Sequence, residues 1–290
     1  MEKNDVDAYI NGLISLLNVT QTYAQISSRH VMNIRGSVVM NRDFTSSVYE
    51  IFQEVVSSYS QEVALLAKKN RGKNNELITF LPHNGKTVFV FLSANTGLFG
   101  DIINKTFRYM MKDLKQSGAE VTVVGRLGRT MFQVGAPNQP YSYFDYPDYG
   151  TSQEEFMKLI SHLVQYEEIH VYYSQFQSMV NQEPVKFKID AQTPMSVSIH
   201  KGDQKHFIFE PNLSSILKFF ESEIFTSVID QVLQESQLAK SASRILAMNR
   251  ATKNIEEELK KSKIRQNREK HGKENKRLIN SMIPRIALSL

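Results

Sequence analysis

From residue 213 to residue 282 the chain runs for seventy residues without a proline and with one glycine, Gly272. Proline removes an amide donor and glycine costs roughly 1 kcal/mol in a helix interior, so their near absence lets a single helix persist. At about 1.5 Å per residue that helix reaches roughly 100 Å, too long to fold back into a compact core. Its centre carries Leu238, Ala242, Ile245, Met248, Thr252, Ile255 and Leu259. Their spacing of three and four is that of a coiled-coil seam, which requires a partner helix.

The partner that the chain itself offers is residues 7–69. Ile10, Leu13, Leu17, Ala24, Val31, Ile34, Val38, Val48, Phe52, Val55, Tyr59 and Leu66 fall on one heptad frame, with Thr20, Ser27, Asn41, Thr45 and Glu62 as its polar positions. Polar seam residues weaken a coiled coil and fix its register. Gly36 predicts a bend near Gly36 or Asn41, and the polar run KKNRGKNN (68–75) ends the arm.

Between the arms the period changes. Residues 77–82 and 86–94 read as strands joined by a His83-Asn84-Gly85 turn. An amphipathic helix follows over 101–116, then a strand over 120–125. Residues 137–151, rich in Pro, Tyr and Asp, read as a long loop. Ser152 with Glu155 forms a capping box that opens a helix to about Gln165. Further strands are predicted over 169–173, 185–189, 195–199 and 206–209, before Pro211-Asn212 leads into the long helix. The fold class is α/β: a long antiparallel two-helix coiled coil formed by both termini, plus a central layered α/β domain. The boundaries place a coiled-coil arm at 1–75, the α/β domain at 76–210, and the second arm with its tip at 211–290.

Several chemistries find no support. There is no cysteine, hence no disulfide, thiol nucleophile or thiolate metal site. The acidic start MEKNDVDAY argues against a secretory signal, and no run of about 18 apolar residues predicts a membrane span. NGKT (84–87) lacks the earlier glycine and the following helix of a phosphate-binding loop. TGLFG (96–100) sits between strand and helix, where amides can hold a phosphate, so a nucleotide-binding α/β domain carried on coiled-coil arms stays open beside a tight packing turn. The seven histidines show no metal-ligand spacing, although His200 and His206 could meet across a hairpin. Acidic residues within YSYFDYPDY (141–149) argue against nucleic acid. A structural coiled-coil adaptor is a third reading.

Net charge is only +5, but residues 250–277 hold eleven Lys or Arg against five Glu. Such a run can be a plain solvated helix face. Yet Lys263, Gln266 and Lys273 fall where a seam from Lys260 onward would need apolar residues, and LINSMIPRIALSL (278–290) then turns apolar, with Pro284 breaking or kinking the last turn. A polar shaft with an apolar tip suits a rod that passes through an acidic cavity into an apolar collar.

Residues 235–254, ESQLAKSASRILAMNRATKN, resemble the C-terminal signature of the gamma subunit of F-type ATP synthases. Its small-Arg-x-x-Ala-Met-x-x-Ala-Thr-x-Asn pattern is matched by Ser243, Arg244, Ala247, Met248, Ala251, Thr252 and Asn254. SANTGLFG (93–100), VYYSQFQSMVNQEP (171–184) and the Phe209-Glu210-Pro211 exit are similar to further segments of that family, as are Asn267, Arg268, Lys270, His271, Leu278, Ile279 and Ile283 near the end. The first arm lacks the family's Lys-Ile-Thr-x-Ala-Met run, and Asp101 replaces a small residue. The resemblance implies a non-catalytic rotor, the central stalk of an ATP synthase or of a diverged, hydrolysis-only rotary ATPase. It implies alpha and beta subunits, an epsilon-like subunit and a membrane rotor ring as partners, no cofactor, and a cytoplasmic location peripheral to the inner face of the cell membrane. It also implies shaft-to-ring contacts at Asn267, Arg268, Lys270, His271 and Leu278, and arm-to-arm packing by Arg244, Met248, Thr252 and Ile255.

Overall fold

The computed structural model describes residues 3–59, 62, 84–190 and 212–287. The strands expected over 77–82, 195–199 and 206–209, the arm end at 68–75, Leu66, His200, His206 and the Phe209-Glu210-Pro211 exit lie outside them. Ten elements are described: α1 (Lys3–Ser58), β1 (Thr87–Leu92), α2 (Ile102–Leu114), β2 (Glu120–Val124), α3 (Arg126–Gly135), β3 (Ser142–Phe144), α4 (Gln153–Leu163), β4 (Glu168–Phe176), β5 (Gln182–Asp190) and α5 (Leu213–Ala287). They fall into two compact units, Met1–Ser27 with Arg244–Leu290, and Ser28–Ser243.

The larger unit is built on a five-stranded sheet of order β3-β2-β1-β4-β5. β1 pairs in parallel with β2 and β4, β2 in parallel with β3, and β5 returns antiparallel to β4. The runs TVFVFL and VTVV are apolar on both faces because both faces are covered, as parallel sheets require. Val88, Val90 and Leu92 point to a layer made by α4 and the α5 residues Ile229, Val232 and Leu233. Phe89 and Phe91 point to the other layer, from Ile102, Ile103 and Met110 of α2 and Phe132 of α3. A third cluster joins Phe52, Val55 and Val56 of α1 to Leu217 and Ile224 of α5. There the Asn41 amide donates to Asp230 at 2.7 Å, so a polar position of the predicted frame makes a bond that fixes register.

α1 is helical through Gly36 and Asn41, and α5 through Pro284, which therefore does not end it. Asn212 caps α5, its side-chain oxygen accepting the Ser215 amide at 2.9 Å. Three expectations are corrected. The capping box at Ser152 does not form, since its side chain makes no cap bond and Glu155 lies 3.5 Å from Lys158 instead. The loop over 137–151 contains β3, whose partner β2 lies some twenty residues earlier and so leaves no local signal. Glu62 is exposed rather than a seam position. In addition, sequence reading places no helix over α3, where Gly128 and Gly135 occupy positions at which a Cβ would stand 2.6 Å from Ser93 Cβ and 2.8 Å from Phe107 Cζ.

Candidate functional site: the antiparallel helical pair

The smaller unit is a helix pair, α1 up to Ser27 against α5 from Arg244. Val6, Ile10 and Leu13 of α1 and Met248, Leu259 and Ser262 of α5 are buried, with Ile245, Thr252 and Ile255 half-buried. The hydroxyls of Thr20 and Thr252 meet at 3.0 Å, and Gln266 donates to the Asp7 carboxylate. Rising numbers on one helix meet falling numbers on the other, so the pair is antiparallel. Arg244 is buried, its guanidinium 5.6 Å from the centroid of the Tyr23 ring, a cation–π geometry. Thus Arg244, Met248, Thr252 and Ile255 lie on or beside the line facing α1.

The seam extends further than its sequence suggests. Ser262 and Gln266 occupy its next positions, while Lys263 is exposed. Among the described residues, Gln266 and Asp7 make its last side-chain hydrogen bond. From Asn267 to Ile279 every α5 side chain is exposed except half-buried Glu269. Asn267, Arg268, Lys270, His271 and Leu278 all lie on this stretch. Its ion pairs are local, Arg265–Glu269 at 3.4 Å and His271–Glu274 at 3.5 Å. Such exposed pairs contribute at most about 1 kcal/mol each and leave the basic excess on display. Leu278 and Ile279 are 59% and 58% exposed.

In the larger unit the turn after β1, which could have held a phosphate, is filled by the chain itself. The Asn95 and Thr96 amides both donate to the Asp148 carboxylate at 2.8 Å, and the Thr96 hydroxyl does so at 2.6 Å. α5 closes the same end of the sheet. Lys240 Nζ donates to the Ser93 carbonyl at 2.6 Å, Ser243 Oγ to the Phe99 carbonyl at 2.7 Å, and Gln237 Nε2 to the carbonyls of Pro147 and Gly150 at 2.9 and 3.0 Å. Sequence reading missed these anchors because each partner is a backbone carbonyl at least 87 residues away. NGKT lies in a turn before a strand, with the Asn84 side chain accepting the Lys86 amide at 2.9 Å.

The ionisable groups here are structural. The Tyr172 hydroxyl donates to Asp113 at 2.7 Å and, with Lys186, holds that carboxyl below its usual range. Burial pushes the Tyr146 phenol up to about 12 and holds the His162 and His170 imidazoles below their ordinary value. Among the described residues no group of three or more His, Cys, Asp or Glu could hold a metal ion, and no helix is long and apolar enough to cross a membrane.

The fold is that of a helical-stalk protein, with an antiparallel helix pair whose longer member continues as an exposed helix. A family model described as ATP synthase matches residues 3–273. The chain is 22% identical over 284 residues to the ATP synthase gamma chain of Pelotomaculum thermopropionicum, covering 94% of each, and 24% identical over 278 residues to that of Mycoplasma pneumoniae, covering 90% of this chain and 95% of the other. A chain from the central stalk/c-ring structure of the Tetrahymena thermophila mitochondrial ATP synthase superposes with a TM-score of 0.56 at 15% identity, covering 81% of this chain and 99% of that one. One from the Euglena gracilis mitochondrial ATP synthase gives 0.55 at 12% identity, covering 90% and 95%. The chain belongs to the gamma-chain family of F-type ATP synthases.

Proposed function

We propose that this chain is the central-stalk rotor of an F-type ATP synthase or ATPase, turning inside a ring of alternating alpha and beta subunits. An epsilon-like subunit stands beside the α/β unit, and a membrane rotor ring is the other coupled partner. The chain supplies no catalytic group. It belongs to a membrane-associated complex without a membrane span of its own among the described residues, and we place it at the inner, cytoplasmic face. The division into an arm at 1–75, a body at 76–210 and an arm with tip at 211–290 is part of this reading.

One observation carries it. α5 continues helically to Ala287, and beyond Gln266, which donates to Asp7, it carries an exposed basic stretch followed by apolar, exposed Leu278 and Ile279. A helix end of this kind offers a different face in each direction. Rotation can then favour one state of each surrounding site over another, since coupling requires a contact free energy that differs between states. In this role Asn267, Arg268, Lys270, His271 and Leu278 contact the ring, and Arg244, Met248, Thr252 and Ile255 hold the pair together.

The test is Lys270→Ala combined with His271→Ala. Both side chains are exposed, so the isolated chain keeps its helicity, while ATP hydrolysis by the assembled complex becomes less tightly coupled to rotation. Unchanged torque and turnover would remove the role of these residues. Purification of the tagged chain brings down alpha and beta subunits, several copies of each per copy of this chain. Calorimetry with ATP, GTP and NAD shows no binding to the isolated chain, as expected where Asp148 already occupies the loop amides.

A further inference from the structure

Eight consecutive residues of α5, Ser236 to Ser243, are buried, none more than 8% exposed. At about 3.6 residues per turn they make more than two turns, so the helix is enclosed on every side over that length. A helix enclosed on every side is ordinarily apolar all round. This one reads SQLAKSAS, five of its eight residues Ser or Ala, with a lysine among them. A lysine is almost never so buried unless it is paired, and the Lys240 ammonium donates to the Ser93 carbonyl at 2.6 Å.

Five side chains of α5 grip five different parts of the sheet unit within about 20 Å of helix. Asp230 accepts from Asn41 of α1 at 2.7 Å, and Glu235 from the Tyr173 hydroxyl of β4 at 2.9 Å. Gln237 donates to the loop after β3, Lys240 to the end of β1, and Ser243 to the turn before α2. At about 100° per residue these five positions surround the helix axis with no gap wider than about 140°. Apolar contact is non-directional, so Ile229, Val232 and Leu233 hold α5 on the sheet without fixing how far it is rolled. Hydrogen bonds weaken steeply as they bend, so a roll of α5 in either direction strains bonds on several sides at once.

We infer that Asp230, Glu235, Gln237, Lys240 and Ser243 form a torsional clamp, which fixes α5 against rotation about its own axis and passes torque on the sheet unit into that helix. This rests on the rotor reading above. α5 is one continuous helix from Leu213 to Ala287, so a twist imposed at 230–243 is carried along it by the backbone hydrogen-bond ladder. Lys240 and Ser243 are the positioning residues that bear most of the load, because their bonds are buried and the ammonium is a charged donor. What the clamp supplies is stiffness.

The experiment uses the assembled complex with its alpha and beta subunits fixed to a surface. A bead is attached to the sheet unit at Val134→Cys, an exposed position in a chain without cysteine. Its angular fluctuation in a paused complex reads torsional stiffness, and rotation against the drag of a larger bead reads torque. Lys240→Met/Ser243→Ala removes two clamp bonds and keeps helix propensity and most of the buried volume. Leu233→Ala removes apolar contact instead. Thermal midpoints of the isolated chains, and copurification with alpha and beta subunits, show that each variant folds and assembles. The expected result is a loss of stiffness and of rotation under load in the Lys240/Ser243 pair, with wild-type stiffness in Leu233→Ala even where its midpoint falls as far. Wild-type stiffness in the pair, or an equal loss in Leu233→Ala, would overturn the proposal. If the pair does not fold, Ser243→Ala alone is measured and the same two outcomes decide. A wild-type complex whose bead does not turn with ATP would instead sink the rotor reading.

Discussion

Arg244 is 1% exposed, and a guanidinium cannot shed its charge to ease burial. The Tyr23 ring provides part of its environment. Arg244→Ala is expected to lower stability by about 3 kcal/mol, through the void and the lost contact. Arg244→Lys recovers only part of that, because an ammonium lacks the flat face that stacks on a ring. Denaturant midpoints of the three proteins check the order. Gly125 sets a different constraint. It adopts φ +98°, and a Cβ there would stand 2.9 Å from the backbone N, C and O of Ala94. Its amide also donates to the Phe144 carbonyl at 2.9 Å, so it cannot move aside without loosening β3. Gly125→Ala should cost about 2 kcal/mol or more, measured by urea unfolding of the full chain.

Among the elements, the helices were legible wherever one face was continuously apolar. The frame from Ile10 to Val55 and the seam from Met248 to Leu259 both emerge as buried or half-buried lines, because a coiled-coil seam is written in local spacing alone. Gly36 shows the limit of reading a residue by type. Its position is helical, and an added Cβ would meet nothing within 4 Å, so it neither ends the arm nor serves close packing. Gly36→Ala is accordingly expected to raise the thermal midpoint, by an amount worth roughly 0.5–1 kcal/mol. Loss of the N-cap by Asn212→Ala should lower stability by about 1 kcal/mol. α3 and β3 escaped notice for different reasons. The ten-residue α3 has two glycines, which lower helix propensity, where the sheet and α2 need close approach, and β3 is three residues long with its pairing supplied from a distant strand.

For the molecule as a whole, acid is a probe of the sheet unit. Burial holds His162 and His170 below 6.5, so both stay neutral in the folded state when the unfolded chain would protonate them. Stability is therefore full above that value and falls as pH drops through about 6.5 toward the lowered folded values. Around His170 the groups Glu168, Asp113, Lys186 and Lys188 come from α2, β4 and β5, and Glu120 and Tyr166 lie near His162. Asp113, Glu120 and Glu168 are all lowered by their hydrogen-bonded partners, so their stabilisation persists above 3.8–4.5 and disappears as pH falls through their folded values. Asp230, raised by burial, works in the opposite sense, favouring the folded state as it takes up a proton. A melting temperature that falls already between about pH 7 and pH 5.5, and falls less in His170→Gln, would check the histidine share. By itself the sequence determined the two helical arms, their antiparallel seam, the strands β1, β2 and β4, and the family, all of which depend on period, composition and short motifs. Only the tertiary structure decided that Gln266 reaches Asp7 across the pair, that Asp148 fills the loop after β1, and that Lys240, Ser243 and Gln237 fasten α5 to the sheet. Those outcomes depend on which distant backbone groups lack a partner, and that is a property of the packed chain that no local pattern encodes.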